Sequence, residues 1–180
     1  MDIPKDGDKM AANVPAGLRD NKDILAYVDG LVGRDGYHIK ATDLDRPWGG
    51  FYALEENDAR AFADKFFPDL AFETYENLSP KFLMVAPGLR LSWQYHDRRA
   101  ELWRILRGPV GVKISPDDTE PEVVRELAEG ETIQFDAQVR HRLIGLTANW
   151  GVVAEIWKHT DPTNLSAEDD IVRVQDDFKR

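Results

Sequence analysis

Short stretches of alternating apolar and polar residues run through most of the chain, and this period of two predicts β-strands. Clusters of Gly, Pro, Asp and Asn separate the stretches and predict turns between them. The predicted strands cover residues 37–40, 81–86, 88–96, 102–106, 111–114, 123–127, 131–135, 141–146 and 151–157. A series of short strands joined by turns is typical of an antiparallel sandwich or barrel.

Two stretches, residues 21–31 and 57–67, instead repeat their apolar residues at helical spacing. Each begins with an asparagine, which is a suitable N-cap. Gly30 and Gly33 are expected to limit the end of the first helix, and Pro68 is expected to stop the second. We therefore expect a few short helices beside the strands.

Residues 1–20 are polar, with no sustained period, and predict a loose arm. The sequence predicts an N-terminal arm with a short helix over residues 1–45, followed by a single domain over residues 46–180. The fold class is all-β, a jelly-roll barrel with a few short peripheral helices. Strands that close on themselves have an interior face on which alternate side chains converge.

Composition narrows the function classes. The 180 residues include no cysteine, which excludes disulfides, thiolate nucleophiles and cysteine-based metal sites. No apolar run is long enough to cross a bilayer and the N-terminus lacks the order of a signal peptide, so we expect a cytoplasmic protein with no membrane partner. The net charge of -10 argues against nucleic acid as the main partner.

Four potential metal ligands are spaced so that they could meet. On a strand, Gln94 and His96 project to the same face, and pairing with the next strand would bring Glu101 beside His96. His141 stands at the head of a later strand. One amide oxygen, two imidazoles and a carboxylate suit a divalent transition metal. The alternative is an ordinary sheet with polar residues on its solvated face, but two of only four histidines belong to this set.

The spacing of these residues resembles that of the cupin family. The residues that resemble the first cupin motif are Gly88, Gln94, His96, Glu101 and Gly108. Gln94 stands where the motif has its first histidine. The second motif resembles Gly130 followed by His141. Together the four ligands are similar to the metal set of phosphomannose isomerases.

The resemblance extends to the type II mannose-6-phosphate isomerase domain over residues 46–180. Outside the metal set, the matching residues are 46–49, Pro87, Leu91, Ser92, Arg99, Trp103, Arg142, Glu155 and 168–173. The chain departs from the second motif at Asp136, Gln138 and Gly145, which shape a turn and are not ligands. The tail, residues 178–180, also departs from the family pattern. Larger members carry a nucleotidyltransferase with a Gly-rich loop that this sequence lacks, so sugar-nucleotide synthesis is not predicted.

The resemblance implies a cupin barrel that holds one divalent metal ion on Gln94, His96, Glu101 and His141. Zinc is the first expectation, and Mn, Fe, Co and Ni also suit mixed donors of this kind. The resemblance further implies a sugar phosphate as the small-molecule partner and a homodimer.

The implied activity is interconversion of mannose 6-phosphate and fructose 6-phosphate by enediol proton transfer. The candidate catalytic residues are Lys81, Glu101 and Arg142, and the candidate substrate-binding residues are Arg99, Arg142 and Arg173. The base stays open among Glu101, Lys81 and a hydroxide held by the metal. Strand alternation would point Arg142 away from the neighbouring histidine, so a structural salt bridge is an equal alternative for it.

Three other functions remain open. The protein could isomerise or epimerise another sugar or sugar phosphate, since the metal chemistry does not depend on remote hydroxyls. It could bind a sugar without turnover. It could also be a metal-dependent dioxygenase, which would prefer iron.

Overall fold

A computed structural model describes residues 17–146 and 148–179 of the chain. These residues form two antiparallel β-sheets that pack face to face, with short helices on one outer side. The prediction of an all-β jelly roll with a few peripheral helices is confirmed. Most of the predicted loose arm, residues 1–16, lies outside the described residues.

The elements have the following bounds. The strands are β1 (Ile39–Arg46), β2 (Gly49–Leu54), β3 (Leu78–Val85), β4 (Trp93–His96), β5 (Arg99–Arg107), β6 (Val110–Ser115), β7 (Arg125–Leu127), β8 (Thr132–Phe135), β9 (Arg140–Gly145), β10 (Gly151–His159) and β11 (Ile171–Gln175). The helices are α1 (Lys22–Asp35) and α2 (Ala59–Phe66), and 3-10 turns cover Leu18–Asp20, Glu56–Asp58 and Glu168–Asp170. The first sheet has the order β1-β2-β3-β10-β5-β8 and the second the order β11-β4-β9-β6-β7.

Alternation along the strands of the first sheet divides its side chains between two apolar cores. On the outer face, α1 and α2 pack against the sheet, with the rings of Phe62 and Phe82 5.1 Å apart. On the inner face, residues such as Trp103 and Val153 pack against the second sheet. At one end of this inner core the apolar residues give way to charged ones, and the candidate site lies there.

The helix boundaries differ from those expected. Asn21 caps α1 by accepting a hydrogen bond from the Ile24 amide, as predicted. However, α1 continues through Gly30 and Gly33 and ends at Asp35, and its C-cap is Gly36, which has a left-handed φ of 71°. Burial of apolar residues in its last turns outweighs the low helix propensity of glycine. Among the described residues, no helix is both long and apolar enough to cross a membrane.

The end of the predicted N-terminal segment, from Ile39 onward, belongs to the first sheet. β1 is longer than the predicted strand at 37–40, and it pairs with β2 along the edge of the sheet. Its mostly exposed, polar residues carry no alternating signal, which explains why its length was missed. The boundary at residue 45 stays a prediction, and β1 crosses it.

Candidate metal centre

His96, Glu101 and His141 converge at the charged end of the inner core, with one ligand atom from each lying within 4.8 Å of the others. His96 Nε2 is 3.0 Å from Glu101 Oε1, and His141 Nε2 is 3.2 Å from Glu101 Oε2. Each side chain is only 2% exposed. Three of the four residues predicted as metal ligands thus meet in one buried group.

The ligands come from both sheets. β4 carries His96 and β9 carries His141, both in the second sheet, while β5 carries Glu101 in the first. The expected pairing of the strands before and after the Asp97 turn is wrong, because β4 pairs with β9 and β11 and β5 pairs with β8 and β10. The short connection after β4 instead crosses between the sheets. Glu101 consequently faces His96 across the interior.

Backbone carbonyls orient both imidazoles. His141 Nδ1 lies 3.0 Å from the carbonyl oxygen of Val139, and His96 Nδ1 lies 3.3 Å from that of Asp170. A carbonyl can only accept, so each Nδ1 carries the proton and donates. Each Nε2 therefore presents a lone pair to the interior. Burial lowers the pKa of His96, which favours this neutral form.

Two of these atoms, Glu101 Oε2 and His141 Nε2, are buried without a hydrogen-bond partner within the described residues. Both carry lone pairs, so their contact is repulsive unless a cation or proton lies between them. Buried unpaired polar atoms are costly, and a divalent ion that accepts both lone pairs removes this cost. The residues therefore fit a metal ion.

Glu101 is ready to serve as a ligand in its ionised form. Burial alone would raise its pKa, but positive charge on its neighbours, which are His96 when protonated and the guanidinium of Arg99, outweighs burial and holds the pKa well below its usual value. Arg99 Nε donates to Glu101 Oε1 over 2.8 Å, and Nη2 lies 3.2 Å from His96 Nε2. The guanidinium also donates to Ser166 Oγ and lies 3.6 Å from the ring centre of Trp157. Arg99 thus holds the carboxylate in place.

Gln94 adds a fourth potential ligand. It lies directly opposite His141 across the β4–β9 pairing and lines the same cavity as Glu101. Its Oε1 accepts a hydrogen bond from Ser92 Oγ over 2.5 Å. An amide oxygen has two lone pairs, so one remains for a cation.

A cavity of about 50 Å³ adjoins this group. Its charged and polar lining residues are Arg46, Lys81, Ser92, Gln94, Arg99, Glu101, Glu155, Glu168 and Arg173. Lys81, Arg99 and Arg173, all named from the sequence, thus lie around one space with two of the ligands. The structure places Arg142 elsewhere. Its buried guanidinium donates to both carboxylate oxygens of Glu120 and to the carbonyl of Gln175, on the outer face of the second sheet.

Glu155 received no role from the sequence alone. It faces the cavity from β10, directly between Lys81 on β3 and Trp103 on β5. Trp103 Nε1 donates to Glu155 Oε1 over 2.9 Å. Burial, followed by the charge of Glu101, raises the pKa of Glu155 to about 8. Its alternation with Trp157 and Val153 on β10 could have placed it inside, but its neighbours depend on strand register.

The chain is similar in sequence to known proteins. The family model described as "Mannose-6-phosphate isomerase C-terminal" matches residues 70–176. Mannose-1-phosphate guanylyltransferase of Salmonella montevideo is 27% identical over 143 residues, which cover 79% of this chain and 24% of that protein. The xanthan biosynthesis protein XanB of Xanthomonas campestris is 27% identical over 135 residues, which cover 75% of this chain and 23% of that protein. The chain thus spans about a quarter of the length of these curated relatives.

Solved structures share the fold. Oxalate decarboxylase from Bacillus subtilis superimposes with a TM-score of 0.53 at 16% identity, covering 74% of this chain and 29% of that one. The capsular polysaccharide assembling protein CapF from Staphylococcus aureus gives a TM-score of 0.53 at 12% identity, covering 75% and 34%. At such identities the likeness concerns the fold alone, and the predicted cupin barrel is confirmed.

Proposed function

The chain belongs to the mannose-6-phosphate isomerase C-terminal family, and from this membership we propose that it is a metal-dependent isomerase that interconverts mannose 6-phosphate and fructose 6-phosphate. The observation that carries the proposal is the buried group of His96, Glu101 and His141, whose lone pairs face one another. Family membership alone supports the broader class of sugar-phosphate isomerases.

In this proposal Gln94, His96, Glu101 and His141 hold one divalent ion, with zinc the first expectation. When bound, the ion supplies positive charge that stabilises the negative charge developing on the substrate oxygens during proton removal. Arg99 keeps the Glu101 carboxylate oriented, and the two backbone carbonyls keep both imidazoles in the tautomer that a metal requires.

Aldose–ketose interconversion needs a base that takes a proton from C2 and returns it to C1. We assign this task to Glu155, because it lines the cavity and Trp103 holds one of its oxygens. Of the two residues that the sequence suggested, Glu101 is a ligand and Lys81 donates to Glu168 over 3.1 Å. Glu155 is therefore the better placed proton carrier.

The charge of the cavity supports an anionic substrate. Four cationic side chains line it against three carboxylates, although the chain as a whole carries a net charge of -10. A bound divalent ion would add further positive charge. A sugar phosphate matches this excess, and the candidate substrate-binding residues Arg99 and Arg173 both line the cavity. The proposal gives Arg142 a structural role.

The experiment is a coupled assay for fructose 6-phosphate formation from mannose 6-phosphate by the zinc-loaded protein. A panel of other hexose and pentose phosphates tests the broader class, and sugar-induced thermal stabilisation without product would point to a binding protein. No product from any sugar phosphate, with the metal bound stoichiometrically, would contradict the proposal.

The homodimer and the cytoplasmic location expected from the sequence need separate measurements. Light scattering tests the homodimer, and fractionation of cells tests the location.

A further inference from the structure

Two cavities lie side by side on the inner face of the first sheet, and both are partly open to solvent. The first adjoins the metal ligands and has a volume of about 50 Å³. The second, of about 230 Å³, extends along the inner face of the first sheet toward β1. Both are lined by Phe51, Lys81, Trp157 and Glu168, so these four residues form the partition between them.

The partition is closed by an ion pair. Lys81 Nζ donates to Glu168 Oε1 over 3.1 Å and lies 3.7 Å from the ring centre of Trp157 and 4.4 Å from that of Phe51. The Lys81 side chain is 9% exposed, whereas that of Glu168 is 49% exposed. Lys81 is thus fixed in the wall, while Glu168 reaches in from the surface.

The first cavity is too small for the proposed substrate. Ligand pockets in proteins enclose roughly 300–1,000 Å³, several times the space beside the metal ligands. The second cavity supplies most of the missing volume, and separating Lys81 from Glu168 would join the two. A hexose phosphate would then fit with its sugar end at the metal ligands and its phosphoryl end at Lys81.

The surroundings of Glu168 are those of an anion site. Burial would raise its pKa, but the charge and hydrogen bond of Lys81 and the charges of Arg46 and Arg99 outweigh burial and lower it. Arg46 is itself paired with a carboxylate on its other side, since its Nε lies 2.7 Å from Asp43 Oδ2. The Glu168 carboxylate therefore lies among three cationic side chains, and only Lys81 is its direct hydrogen-bond donor.

The 3-10 turn that carries Glu168 is anchored independently of it. Asp170 accepts hydrogen bonds from the amides of Asp97 and Arg98 and from Ser166 Oγ. Asp169 accepts from Arg98 Nη2 over 2.7 Å. Rotation of the Glu168 side chain alone can consequently open the partition, while Asp170 continues to hold His96 through its carbonyl.

We propose that the Glu168 carboxylate occupies the place of the substrate's phosphoryl group, and that an arriving phosphoryl group displaces it from Lys81 and joins the two cavities. Arg46 supplies the second cation of this subsite. That the phosphoryl group belongs to a sugar phosphate rests on the proposed function. The subsite itself would bind any phosphate monoester or inorganic phosphate. A neutral sugar has no charge with which to replace Glu168, so the ion pair selects for anionic substrates.

The test compares Glu168→Gln with Asp169→Asn, which removes the same charge from the same turn but outside the cavities. Inorganic phosphate, mannose 6-phosphate and neutral mannose are titrated calorimetrically into each zinc-loaded protein. Loss of the competing carboxylate is expected to tighten binding of both phosphates about fivefold, the scale of one partly exposed ion pair. Asp169→Asn is expected to bind as the parent protein does, and Lys81→Met is expected to lose phosphate binding.

Three results would overturn the inference: phosphate binding by Glu168→Gln no tighter than in the parent, equal tightening for neutral mannose, or no phosphate binding by any variant. Equal tightening would mean that the variant merely loosens the turn. Because binding is measured without turnover, tighter phosphate binding by a protein with no isomerase activity would leave the subsite standing and remove the proposed reaction. Isomerase activity with unchanged phosphate affinity in Glu168→Gln would leave the proposed reaction standing and remove the subsite.

Discussion

Replacement of Arg142 separates a structural role from a catalytic one. Its guanidinium is fully buried and makes two hydrogen bonds of 2.9 Å to Glu120 and one of 3.1 Å to the carbonyl of Gln175. Arg142→Met keeps most of the side-chain volume but leaves both acceptors without these donors. We therefore expect a large loss of stability with little change in the chemistry of the folded protein.

The magnitude follows from what remains around Glu120. Removing one partner of a buried ion pair costs about 3–5 kcal/mol. Glu120 keeps Lys113, whose Nζ is 3.1 Å away, so we expect the lower limit. A loss of about 3 kcal/mol lowers the midpoint of thermal unfolding by about 6–12 °C in a domain of this size.

Urea unfolding measures the loss, and kcat/KM for mannose 6-phosphate is measured well below the unfolding transition. Arg140→Met is the matched control, because Arg140 lies two residues earlier on the same face of β9 and pairs with the mostly exposed Asp118. It is expected to cost less than about 1 kcal/mol. A fall in kcat/KM of about a hundredfold or more in folded Arg142→Met, with normal stability, would refute the structural assignment.

Further predictions concern the interior. His96→Ala and His141→Ala are each expected to lose bound metal and activity together, measured by elemental analysis and the coupled assay, and stoichiometric metal in either would remove that residue from the ligand set. Glu155→Gln is expected to lower kcat by about 10²–10⁴-fold with metal content unchanged, and normal turnover would exclude it as the proton carrier. Burial lowers the pKa of His96, so its unfolded form protonates first and the metal-free protein is expected to lose stability as the pH falls below 6.5. The raised pKa of Glu155 acts in the opposite sense: its stabilising contribution is present below pH 4.5 and lost as the pH rises to about 8, so urea unfolding of metal-free Glu155→Gln is expected to lack this decline.

The metal group was accessible from the sequence because histidine is rare in this chain and the spacing of its ligands is distinctive. The sequence did not predict that the strands of His96 and Glu101 lie in different sheets. Two consecutive strands with a short connection can form either a hairpin or a corner between sheets. Local pattern does not separate these cases, because only the pairing partners elsewhere in the chain decide them.

The same limit applies to the side chains around the cavity. Alternation correctly suggested that Arg142 points away from its neighbouring histidine, yet its partner Glu120 comes from a distant turn. Glu155 acquires its chemistry from Lys81 and Trp103 on two other strands, and this depends on register. The end of α1 was missed because its last apolar residues gain more from burial than glycine costs.

Because Glu101 belongs to one sheet and both histidines to the other, an ion bound to all three cross-links the two sheets of the sandwich. Removal of the ion should therefore lower the stability of the strands that carry the ligands, and not only that of the site. Amide hydrogen exchange ought to quicken together in β4, β5 and β9 when the metal is chelated, and the two layers should separate more readily there than at the apolar end.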